Sequence, residues 1–146
     1  MKKYAVAYYT RSGNTKKMAE TVGRVLGVTP TDISEGLSED VQTLFLGCSP
    51  YAFKLVPEVE KFIIENAEKI GRIVCFGSCA SGHSVAKKVR KVARENGIRF
   101  YKQSFKCFGS FGIMHKNHPD VMDLAALKDF TESVVRDLNR HGAKKS

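Results

Sequence analysis

Six consecutive residues carry the clearest chemistry in the chain: Thr10, Arg11, Ser12, Gly13, Asn14 and Thr15. Hydroxyls at 10, 12 and 15 and an amide at 14 place side-chain donors around one short turn. Gly13 removes a side chain where a backbone must come close to a ligand. The turn follows an apolar run, residues 4–9, and precedes apolar residues at helical spacing. A strand that empties into such a turn and then a helix makes a phosphate seat. The helix start adds unpaired N–H groups and the positive end of its dipole. The competing reading is a strand-to-helix turn that holds nothing.

Two further loops share this character. Residues 48–54 combine small groups with Tyr51 and Phe53, and residues 77–83 are Gly, Ser, Cys, Ala, Ser, Gly and His. A phosphate seat beside aromatics suits a molecule with a phosphate at one end and a flat ring at the other. Other constellations are weaker. Cys75, Cys79 and His83 have three residues between each pair, a spacing that fits no common zinc pattern, so no metal is expected. Cys79 at a helix start is a candidate redox-sensitive thiol, though a small residue chosen for fit is the simpler reading. His115 and His118 form a loop pair, read as solvated rather than as a proton donor. No side chain is assigned as a catalytic acid, base or nucleophile.

The elements that must position these loops follow from the apolar pattern. Residues 3–9 are rich in Val, Ala and Tyr without strict alternation, as in a strand buried on both faces of a parallel sheet. Met18, Val22, Val25 and Leu26 mark a helix that Gly27 ends. Residues 28–33 read as a second strand, placed at the edge by Pro30. Residues 34–40 form a loop and 41–46 a third strand ending at Gly47. Pro57 opens a helix whose stripe is Val59, Phe62, Ile63 and Ala67. Residues 72–76 are a fourth strand, and Ser84 is positioned to cap a helix carrying Val85, Val89, Val92 and Ala93. Residues 98–108 are a fifth strand, 109–119 a loop, and Leu124, Leu127, Phe130, Val134 and Leu138 a last helix. Strand–helix alternation of this kind gives a parallel sheet with helices on both faces. One helix, between strands two and three, is missing or reduced to a turn. In such sheets ligands bind beyond the carboxyl ends of the strands, which is where all three loops fall.

At 146 residues, 42% hydrophobic and 27% charged, a single domain over 1–146 is expected. No apolar run reaches membrane-spanning length and residues 1–9 lack a signal-peptide core, so the expected setting is the cytoplasm. The four cysteines form no C-x-x-C pair and read as reduced thiols. A formal charge of +9 points to an acidic partner or to a solvated basic face. Five of the cations, Lys87, Lys88, Arg90, Lys91 and Arg94, lie on one helix, and the solvated reading is favoured there. Features for base readout are absent, so no sequence-specific nucleic-acid binding is expected. Phosphorelay receivers need clustered carboxylates after the first strand, and Tyr8-Tyr9-Thr10 supplies none.

Over essentially its whole length the pattern resembles the flavodoxin family. The residues from Thr10 to Thr15 resemble that family's FMN phosphate loop. Gly47, Ser49, Pro50, Tyr51, Lys54 and Pro57 resemble its second flavin loop, and the loop from Gly77 falls where a third should be. His118-Pro119-Asp120 resembles a recurring ending in bacterial members. The resemblance implies a three-layer α/β fold with a five-stranded parallel sheet in the order 2-1-3-4-5, and FMN as cofactor. It implies that Thr10, Arg11, Ser12, Gly13, Asn14 and Thr15 hold the phosphate. Ser49, Pro50, Tyr51, Ala52 and Phe53 would line the flavin ring, with Tyr51 or Phe53 stacking on it. Gly77, Ser78 and Cys79 would meet its polar edge. The chain departs from the family in having no Trp, no aromatic in residues 77–83 and a basic balance. Electrostatically, basic surroundings favour a reduced anionic flavin and an acidic redox partner. The implied function is FMN-based electron transfer. The alternatives are an FMN-dependent oxidoreductase acting on a quinone or porphyrinogen-like small molecule, with the 109–119 loop in its site, and a cofactor-free binding module using the basic face.

Overall fold

The first strand explains why the opening run is apolar without alternating. In the computed structural model, which describes residues 1–10, 13–48, 55–78, 85–107 and 120–142, β1 (Lys2–Tyr8) lies inside a parallel sheet. Val6 and Tyr8 face one core, Ala7 the other. The same division runs through β3 (Val41–Gly47) and β4 (Ile70–Ser78). Leu44, Leu46, Ile73 and Cys75 belong to one core, Phe45, Val74 and Phe76 to the other. The period of two is kept, but both phases are apolar because both faces are covered.

Helix α1 (Asn14–Leu26) and α4 (Val121–Gly142) cover the face that carries Phe45 and Phe76, through Met18, Ala19, Val22, Leu127 and Val134. Helix α2 (Pro57–Glu65) and α3 (Ala86–Glu95) cover the other with Val59, Phe62, Ile63, Val89, Val92 and Ala93. Burying each large side chain of this kind contributes about 1.5–3 kcal/mol. The result is a three-layer α/β fold. With β2 (Thr31–Asp32) and β5 (Arg99–Phe100), the strand order is β2-β1-β3-β4-β5, all pairings parallel. This is the order 2-1-3-4-5 that the resemblance to flavodoxins implied. A single 3-10 turn, Ile33–Glu35, stands in place of the missing helix, closed by a reciprocal Asp32–Glu35 capping box.

Four expected boundaries change. The second strand starts only at Thr31, because Pro30 has no N–H to give to a ladder. The fourth strand runs on through Gly77 and Ser78, which pair with Lys106 and Cys107 and so belong to a strand rather than a loop. The fifth strand is two pieces, β5 and β6 (Phe105–Cys107), both paired to β4. Residues 73 to 76 of β4 are matched by residues 100 to 105, so the surplus leaves the ladder as the exposed stretch Lys102, Gln103 and Ser104. Tyr101 anchors that detour: its N–H donates to Ile73 O at 2.8 Å and its hydroxyl to Asp137 Oδ2 at 2.7 Å. Finally, the cap position of α3 is Val85, not Ser84, and no side chain caps it. Among the described residues no helix is long and apolar enough to cross a membrane.

Candidate functional site

Two strand ends are level, β1 at Tyr8 and β3 at Gly47, while β4 runs two residues past Phe76, the partner of Gly47, and ends at Ser78 beside the end of β6 at Cys107. The chain therefore leaves β1, β3, β4 and β6 along one carboxyl edge. The backbone pairing runs one step further: Tyr9 N donates to Gly47 O at 2.9 Å and Cys48 N to Phe76 O at 3.1 Å. From β1 the chain steps outward to β2 on one side and then returns to β3 on the other. The ends of β1 and β3 therefore flank the switch point where open α/β sheets bind ligands.

At that point the first loop closes on itself. Gly13 N donates to Thr10 Oγ1 at 2.9 Å. The Thr10 hydroxyl accepts this bond and keeps its own proton to donate. Gly13 stands at the cap position of α1 with φ 87°, a left-handed conformation that a side chain disfavours. No side chain caps the helix there and its first turn holds no acid. The positive end of its dipole is therefore not offset by an acid of the helix. Asn14 and Thr15 are helical rather than part of the loop, and they are 6% and 1% exposed. Asn14 forms no side-chain hydrogen bond among the described residues. Polar side chains are seldom this buried without a purpose. An added Cβ at Gly13 would meet nothing within 4 Å, so the cradle beside it is open. Lys16 and Lys17 follow, exposed. These features fit an anion such as a phosphate.

Below the loops the packing is tight. A Cβ on Gly47 would lie 2.6 Å from the Phe76 ring and 3.0 Å from Thr15 Cγ2. A Cβ on Gly77 would overlap the Cys48 carbonyl oxygen. The floor of the site is thus built from Gly47, Cys48, Phe76 and Gly77. Of these, Gly47, Cys48 and Phe76 were not foreseen as structural supports. The available signal was a glycine closing an apolar strand directly before a loop. Cys48 and Cys75 are buried free thiols. The Cys75 thiol beside it, and burial, push the Cys48 thiol well above its usual range, so it stays protonated.

The structure thus brings Thr10, Gly13, Asn14, Thr15, Gly77 and the backbone of Ser78 to one edge. Arg11, Ser12, Ser49, Pro50, Tyr51, Ala52, Phe53 and Cys79 lie outside the described residues, as do Lys54, His83, Ser84, His115 and His118. Cys75, read in the sequence beside Cys79 and His83, has its side chain in the core. Among the described residues no group of His, Cys, Asp or Glu is arranged to hold a metal ion.

No protein-family model matches the chain. A flavodoxin from Clostridium beijerinckii is 33% identical over 91 residues, which are 53% of this chain and 64% of that protein, a little under two thirds of its length. A flavodoxin structure from the domain Archaea superposes with a TM-score of 0.78 at 21% identity, over 94% of this chain and 99% of that one. The Fusobacterium nucleatum flavodoxin bound to flavin mononucleotide superposes with a TM-score of 0.66 at 11% identity, over 94% and 99%. With the strand order, these likenesses show that the chain has the flavodoxin fold, and over part of its length its sequence is similar to that of a flavodoxin.

Proposed function

We propose that this chain binds FMN and carries electrons between redox proteins. The observation that carries the reading is the start of α1, an uncapped helix terminus with a left-handed Gly13 and buried Asn14 and Thr15 at the switch point. The Clostridium relative is a flavodoxin, and the Fusobacterium structure holds FMN. In this reading Thr10, Asn14 and Thr15 hold the phosphate, with Arg11 and Ser12 completing the loop and Gly13 letting it approach. Ser49, Pro50, Tyr51, Ala52 and Phe53 line the ring, and Gly77, Ser78 and Cys79 meet its polar edge. Bound FMN supplies the redox chemistry. The protein's part is to fix its position, shed water from one side through the Gly47–Gly77 floor, and set the local charge. No side chain has to move a proton. Lys16 and Lys17 make that local charge positive, which favours an acidic redox partner. We place the activity in the cytoplasm, where the buried thiols of Cys48 and Cys75 stay reduced.

The test is electron flow. Loaded with FMN under anaerobic conditions, the protein should accept electrons from NAD(P)H only when a partner reductase is added. Steady turnover of a quinone with NAD(P)H and this protein alone would replace the carrier reading with an oxidoreductase. A colourless protein that takes up no added FMN would overturn both.

A further inference from the structure

Helix α3 carries cations where helix physics does not want them. Lys87 and Lys88 occupy its first turn, which has no acidic residue and no side-chain cap, so they sit at the positive end of the dipole. Lys87, Arg90, Lys91 and Arg94 recur at spacings of three and four, which stacks like charges on one face. All four are exposed, and among the described residues none of them forms an ion pair. Glu95, the one acid of the helix, forms none either. The opposite face, with Val89, Val92 and Ala93, is fully committed to the core. Neighbouring α2 shows the ordinary pattern by contrast, with Glu58 and Glu60 in its first turn and a Lys61–Glu65 pair at 3.9 Å. Apart from Arg94, which the last turn favours, the α3 array therefore opposes the stability of its own helix, and its use must be sought outside the chain.

Its position gives that use. The helix follows the segment that leaves the carboxyl end of β4, the edge on which the site is built. Its first turn, with Lys87 and Lys88, therefore begins on the carboxyl side of the sheet. We infer that the Lys87–Arg90–Lys91–Arg94 face of α3 docks an acidic protein that exchanges electrons with the site. This rests on the electron-carrier reading above. A carrier's partner must bring its own redox centre to the site, which a protein does and a nucleic acid does not. The face also offers no aromatic or amide side chain for reading bases.

The experiment uses a plant-type ferredoxin, a small acidic iron–sulfur protein, as probe. In the reaction the reduced cluster loses one electron and the bound flavin gains it. FMN loading is measured first by absorbance; a chain that takes up no FMN overturns the carrier reading and this inference with it. For the loaded protein, the second-order rate by stopped flow should fall at least about tenfold from low salt to about 0.5 M. The triple variant K87E/K91E/R94E should be about tenfold slower at low salt and lose that salt dependence. K87Q/K91Q/R94Q should fall between the two, and it serves if the charge reversal disturbs folding by circular dichroism. FMN affinity should be the same in all three proteins. Equal rates for wild type and both variants would overturn the inference. So would salt-sensitive binding of a duplex oligonucleotide that the variants lose while the ferredoxin rate stays unchanged, which would reassign the face to nucleic acid.

Discussion

Replacing Gly77 with alanine adds one methyl group where the backbone of Cys48 lies against β4. The new Cβ would overlap the Cys48 carbonyl oxygen, which is main chain and cannot swing aside. Cys48 is also held by its N–H bond to Phe76 O at 3.1 Å. Relieving the overlap therefore means parting the ends of β3 and β4. Overpacking costs about 1–3 kcal/mol where side chains can adjust, and the upper end applies here. Alanine returns about 0.5–1 kcal/mol by restricting the unfolded chain. The net expectation is a loss of about 2 kcal/mol, or about 4–8 °C in Tm for a chain near this length. Urea unfolding followed by circular dichroism measures it. Gly13→Ala is the control. Space at Gly13 is open, so the cost there is conformational, about 1–2 kcal/mol, and Gly13→Asn should recover part of it. Gly77→Asn should recover nothing. A Gly77→Ala protein within about 0.5 kcal/mol of wild type would refute the close approach as the reason for glycine at this position.

Three further outcomes are expected. Asn14→Ala with Thr15→Ala should weaken FMN binding at least about tenfold, the worth of one hydrogen bond to a charged group, while unchanged affinity would show that the phosphate is misplaced. Tyr101→Phe should cost about 1 kcal/mol by losing the 2.7 Å bond to Asp137. Burial first, and then that bond, push the Tyr101 phenol up to about 12. The folded state thus favours the protonated phenol, so its contribution is complete below about pH 10 and lost as pH rises through about 12. The Phe variant should lack this share of the alkaline decline, read by unfolding curves against pH. Cys48, buried and pushed up by Cys75, should react with thiol reagents only after unfolding; rapid labelling of the native protein would contradict its placement.

The parallel sheet covered on both faces was legible because both phases of β1, β3 and β4 are apolar, whereas the strand order came with the resemblance to flavodoxins. Pro57 and Gly27 marked helix ends for backbone reasons that hold in any context. The break between Phe100 and Phe105 was not legible. Its residues are as polar as an edge strand's, and the detour is set by register against β4 and by the Tyr101–Asp137 bond, a partnership 36 residues apart in sequence. Ser84 suggested a cap by its type alone, whereas the helix begins one residue later than such a cap requires. In the site, the Thr10–Thr15 turn announced itself through residue type. The floor did not, because the closeness of Gly47 and Gly77 to Phe76 and Cys48 depends on contacts across strands rather than along them.

The phosphate seat at the start of α1 is the centre of the account, and comparing FMN with riboflavin tests it most directly. The two share the ring and the ribityl chain and differ in the phosphate. Titrated by quenching of flavin fluorescence, FMN should bind about a hundredfold more tightly than riboflavin, the worth of two hydrogen bonds to a charged group. Equal affinities, or binding of neither, would contradict it.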